Sequence, residues 1–146
     1  MATLGVFARR IRERGRQVEE GVNEIVKKTA IVADREVVLS TPVDTGRARS
    51  NWLLSLGGPS TSEIEAYAQG KGGSSGTANA NAAMAQAQAA VQARRPEQDV
   101  YISNNVPYIG RLNDGWSAQA PAGFVQAAVQ RAAAAIRNMR VFRRGD

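Results

Sequence analysis

The stretch Thr41–Trp52, TPVDTGRARSNW, decides the architecture. The residue before a proline avoids the helical region, so Pro42 stops whatever helix precedes it and Thr41 is already extended. Asp44-Thr45-Gly46 reads as a turn, with Asp44 bonding nearby amides and Gly46 free to take a positive φ. From Arg47 the pattern alternates. Ala48, Ser50, Trp52, Leu54 and Leu56 fall on one face, and Arg47, Arg49, Asn51 and Ser55 on the other. That is a strand over 47–57 with one buried side, closed by Gly57-Gly58-Pro59. The segment is a corner between a helix and a sheet.

Upstream, Leu4, Phe7, Ile11, Val18, Val22, Ile25, Val32 and Leu39 are spaced by threes and fours or their sums. The mean period is about 3.5, so residues 1–40 form one long helix with this stripe as its apolar face. Val26, Ile31, Val37 and Val38 widen the stripe, so the second half should be the more buried. Arg9, Arg10, Arg12, Arg14 and Arg16 occupy the other faces of the first half. Gly5, Gly15 and Gly21 each cost roughly 1 kcal/mol against alanine, which places a break near 15–21 and makes the first turns dependent on a partner.

Downstream, Ser60–Ser62 before Glu63 could cap one helical turn reaching Ala68. Gly70–Gly76 has a linker's composition. Residues 78–95 are rich in alanine with only Met84 and Val91 as larger apolar groups, which predicts a weak helix, marginal in isolation. The whole of 60–95 reads as a flexible Gly/Ala-rich excursion between two paired strands. The second strand is Asp99–Asn105, followed by a helical turn in YIGRLNDG and a last helix from Gly123 to about Met139. Residues 140–146 read as a mobile tail. The fold class is α+β: a long N-terminal and a C-terminal helix on a small, mainly antiparallel sheet, in one domain spanning 1–146.

The 146 residues are 43% hydrophobic but only 5% aromatic. Alanine supplies much of that apolar count, so the core is thin, and neighbouring subunits are expected to contribute stability. The formal charge is +6, with sixteen arginines against three lysines. Arginine pairs with carboxylate and phosphate alike, so the excess fits nucleic acid or an acidic protein. The chain has neither cysteine nor histidine. That removes disulfides, thiolate nucleophiles, the Ser-His-Asp triad and the usual zinc ligands. No run approaches the roughly 18 apolar residues of a membrane span, and the first residues lack the apolar core of a signal peptide.

Asp-Thr-Gly is also the triplet of aspartic proteases, but those sites need two carboxylates sharing a proton, and the chain holds one such triplet. Glu19, Glu20 and Glu24 form a solvated helix face, while Asp34 and Glu36 diverge on theirs. Lys71 among glycines lacks phosphate-loop spacing. No catalytic, cofactor or metal residues are assigned, and the chain is expected not to be an enzyme. Candidate contacts remain. Arg9, Arg10, Arg12, Arg14, Arg16, Arg143 and Arg144 could meet DNA or acidic partners. Few aromatics and no nucleic-acid motif favour protein. Trp52 and Trp116 read as core or interface anchors.

Three ordered elements carry a resemblance: the long first helix, TPVDTGRARSNW, and ISNNVPYIGRLNDGWSAQAPAGFVQAAVQ. Together they resemble the tail-completion, or neck, proteins of long-tailed bacteriophages, minor tail proteins of the lambda Z type. The matching positions are Thr41–Gly46, Asn104–Tyr108, Arg111–Trp116 and Ala120–Val125; 60–95 carries little of the likeness. The resemblance implies a virion protein made in the host cytoplasm, without cofactor or active site. It implies a homo-oligomeric ring, a hexamer, at the head–tail junction around the DNA channel. Its partners there would be a tail terminator, a head–tail connector and the tail tube, with non-specific contact to DNA. Pro42, Asp44, Thr45 and Gly46 would shape the turn, and Arg47, Arg49, Trp52, Tyr108, Arg111 and Trp116 are its interface candidates.

Overall fold

In the computed structural model, residues 3–138 are described. Among them five helices and two strands follow in the order α1 (Leu4–Ser40), α2 (Arg47–Ser50), β1 (Leu53–Leu56), α3 (Gly76–Gln92), β2 (Val100–Ser103), α4 (Ile109–Asn113) and α5 (Phe124–Arg137). The strands pair antiparallel, Leu53 opposite Ser103 and Leu56 opposite Val100. The fold is α+β, as the sequence patterns predict.

α1 starts on Thr3, whose hydroxyl accepts the Val6 amide at 3.3 Å. It runs unbroken for 37 residues, about 55 Å. The break expected near 15–21 is absent: a glycine weakens a helix but removes none of its hydrogen bonds. α1 ends at Ser40, with Thr41 extended, as Pro42 requires. Its buried face keeps only Val37 and Val38 of the widened stripe read from the sequence. Ala30, Asp34, Val37 and Val38 are buried, whereas Leu4, Phe7, Ile11, Val18, Val22 and Leu39 are exposed. The C-terminal half nonetheless packs more deeply, against α3 and α5.

The corner differs from the expected strand in its first half. Arg47–Ser50 is a single helical turn, and pairing starts only at Leu53. The alternation at Ala48, Ser50, Trp52 and Leu54 does mark buried residues, but Asn51 and Leu53 are buried too. A helical turn followed by a tight bend has put both parities inside.

The excursion between the strands carries the central helix. α3 lies against α1, α2 and β1. Ala80, Ala83, Ala87 and Val91 are enclosed in two adjoining apolar clusters, with Val37, Val38, Trp52 and Ala128 in one and Ala30 and Leu54 in the other. Alanine buries little area but lets helix axes approach closely, so a face that looks weak by hydropathy is a core face. The bulkiest completely enclosed side chains are Val38, Val91 and Val106. The helical turn expected at Ser60–Ala68 does not form.

Residues 60–68 are instead held without helix or strand by carboxamides. Asn51 Nδ2 donates to the Ile64 carbonyl and its Oδ1 accepts the Ile64 amide, both at 2.8 Å. Asn79 does the same to Ala68, at 3.0 and 2.8 Å. Gln86 clamps Leu54 of β1 at 3.1 Å in both directions. Each clamp satisfies one residue's donor and acceptor together, as a sheet neighbour would. Where apolar side chains are small, these amides fix chain positions that packing alone would leave loose.

Candidate functional site

The end of α1 is closed by a compact polar network. Thr41 Oγ1 donates to the Val37 carbonyl at 2.6 Å and accepts Trp52 Nε1–H at 2.7 Å. Arg49 Nη2 donates to the carbonyls of Thr41 and Leu39 at 2.8 and 3.3 Å, and Nη1 to Gly76 at 3.1 Å. The last carbonyls of a helix lack partners within it and carry partial negative charge, so a guanidinium is well matched to them. Burial lowers the Arg49 pKa from its usual value. Arg49 is therefore a helix-capping residue rather than a surface contact. Trp52, 6% exposed, belongs to the core and is no interface anchor in the monomer.

The turn itself grips two distant segments. Asp44 Oδ1 accepts the Gly72 amide at 2.9 Å, and its carbonyl accepts Gly73 at 3.0 Å. Its bonds thus reach the Gly70–Gly76 loop, not the amides of its own turn. Thr45 Oγ1 accepts the Arg47 amide at 3.4 Å. Gly46 sits at φ +89°, and a Cβ there would fall 2.0 Å from Asn79 Nδ2. Glycine is required both by conformation and by space. On the other side, Gln119 forms a further clamp: it accepts the Val43 amide and donates to the Val43 carbonyl, each at 2.8 Å. Asn104 Nδ2 donates to Ala48 at 2.8 Å.

These contacts leave an open cleft of about 400 Å³ between the corner and the 108–119 segment. Val43, Asp44, Arg47, Tyr108, Leu112 and Gln119 line much of it, with Pro42, Thr45 and Gly46 at its wall. Arg47 Nη2 pairs with Glu63 at 2.6 Å, while its buried Nε has no partner among the described residues. Tyr108 is half-buried. Burial is the main cause of its raised phenol pKa; Arg47 opposes the shift, and Glu63 and Asp44 add to it. Among the described residues no group of three or more acidic side chains could hold a metal. The lining of the cleft combines the apolar Pro42, Val43 and Leu112 with the polar Asp44, Arg47 and Gln119.

The structure thus brings together Pro42, Asp44, Thr45, Gly46, Arg47 and Tyr108. Arg111 and Trp116 lie nearby on the outside, the guanidinium 5.2 Å from the indole centroid and Trp116 73% exposed. Arg9, Arg10, Arg12, Arg14 and Arg16 are exposed on the projecting half of α1 and take no part in the cleft. Arg143 and Arg144, like the 140–146 tail, lie outside the described residues. Leu112, Gln119 and Glu63 were not singled out from sequence, since nothing local marks a glutamine or glutamate that reaches across the fold. Among the described residues no helix is long and apolar enough to cross a membrane. No protein-family model, curated protein or solved structure matches the chain.

Proposed function

We propose that this chain is a structural subunit of the neck of a long-tailed bacteriophage. It is a tail-completion protein that forms a ring, six copies in number, at the top of the tail and permits joining to the head around the DNA channel. The observation that carries this reading is the meeting of the two stretches behind the resemblance. Pro42–Arg47 and Tyr108–Gln119 are separated by some sixty residues of chain, yet they wall one cleft and are joined by the Gln119–Val43 clamp. A motif pair that builds one surface is what a shared docking role requires. The thin valine and alanine core and the bare half of α1 also suit a subunit completed by neighbours. In this reading Arg111 and Trp116 meet an adjoining neck protein, either tail terminator or connector. A neighbouring station in the neck, as terminator or adaptor, rests on the same features.

The exposed arginines of α1 favour a second reading of another class, a basic DNA-binding accessory protein. Duplex binding at two salt concentrations separates them: an accessory protein binds tightly on its own, with a steep salt slope. The neck reading is tested by making particles without this protein. It predicts filled heads and complete tails that stay separate, and recovery of joining when the protein is added back. Normal, joined, infectious particles would sink it.

A further inference from the structure

The first half of α1 is a bare apolar surface. Leu4 is 87% exposed and Val18 59%, with Phe7, Ile11 and Val22 exposed beside them. Leu4, Ile11, Val18 and Ile25 stand seven residues apart, and Ala8, Gly15 and Val22 each follow four after one of them. Alternating steps of four and three keep these positions on one narrow seam, the pattern of paired helices. The seam points roughly 115° away from the face that α1 gives to its own fold, Ala30, Asp34, Val37 and Val38, at about 100° per residue. A partner on the seam therefore leaves the fold's own packing in place.

Charge says which partner. Residues 9–16 carry five arginines and one glutamate, and residues 17–24 carry three glutamates and no lysine or arginine. Two copies laid parallel would set basic block against basic block. Two copies laid antiparallel, about a centre between Arg16 and Gln17, set each basic block against the other copy's acidic block. The same centre fixes the seam. Ala8 meets the partner's Ile25, Ile11 meets the partner's Val22, and Gly15 meets the partner's Val18. In each layer a larger side chain faces a smaller one, so the helices can approach closely.

We propose that two copies of this chain pair antiparallel through residues 8–25 of α1. The inference rests on α1 alone and stands apart from the neck reading. Such a pair is a closed, two-fold contact, unlike the head-to-tail contact that closes a ring. One seam cannot make both at once, so the pair and a ring built on this seam would be alternative states.

The chain has no cysteine, so introduced thiols report the geometry without background. In the antiparallel pair the two position-8 side chains are about 25 Å apart, far beyond disulfide reach, while position 8 lies against the partner's position 25. The full-length double variant A8C/I25C should form a covalent dimer under mild oxidation, and A8C alone should not. Sedimentation at micromolar concentration should give twice 15.6 kDa for the unmodified chain. Val18→Glu, at an exposed position, should give the monomer mass and a thermal midpoint that no longer depends on concentration. A monomeric unmodified chain, cross-linking of A8C alone, or a mass that Val18→Glu leaves unchanged would each overturn the proposal.

Discussion

Asp34 sits on the buried face of α1, 1% exposed, and its Oδ1 has no hydrogen-bond partner among the described residues. Burial raises its pKa from 3.8 to about 7. The consequence for stability has the opposite sign to that of an ion-paired acid. Below the unfolded value both states hold the proton, and the group costs nothing. Between 3.8 and about 7 the unfolded chain ionises and the folded one does not, so stability falls as pH rises. Above about 7 the loss is complete. Three units at 1.36 kcal/mol each make it about 4 kcal/mol at pH 8, and about 2 kcal/mol at pH 5. Asp34→Asn removes the ionisation and keeps the shape. The amide still buries polar atoms, so the informative quantity is the change with pH of the difference between the two proteins. Urea unfolding from pH 4 to pH 8 should show the variant gaining on the parent by about 3–4 kcal/mol across that range. Parallel stability curves would refute the argument and place a partner, or water, against the carboxyl.

Other perturbations follow from the corner. Gly46→Ala forces an L-residue to φ +89° and drives a Cβ into Asn79, so it should cost about 3 kcal/mol by urea unfolding. Arg49→Lys keeps the charge but cannot reach three carbonyls. It should lose about 2 kcal/mol, where a pure surface contact would lose none. Trp52→Phe leaves the Thr41 hydroxyl without its donor and should cost about 1–2 kcal/mol, with the fold unchanged by circular dichroism.

What could be read in the sequence follows from how local each cause is. Pro42 and Gly46 act on their own backbone, and both did what their chemistry dictates. The antiparallel strands were legible from short alternating runs, although β1 is only Leu53–Leu56. The burial of α3 was not legible, because hydropathy scales weigh side-chain size and the helix is enclosed through alanines. The stripe of α1 was correctly periodic, but only its widened end at Val37 and Val38 is buried, since periodicity identifies a face and not what covers it. The polar clamps were invisible for a different reason. Asn51, Asn79, Gln86 and Gln119 each find a backbone partner at least eleven residues away, and no local pattern specifies that. The cleft inherits the same limit: its corner half was marked by Asp44 and Gly46, while Gln119 became meaningful only once placed against Val43.

The most direct measurement for the account as a whole is a three-dimensional image of assembled particles at the head–tail junction. The account predicts a ring between connector and tail tube into which α1, α3 and α5 fit as rods, six times over, with the Pro42–Arg47 and Tyr108–Gln119 cleft turned toward an adjoining neck protein. Joined particles whose junction contains no density of this fold, or the protein found bound along DNA and absent from the virion, would contradict it.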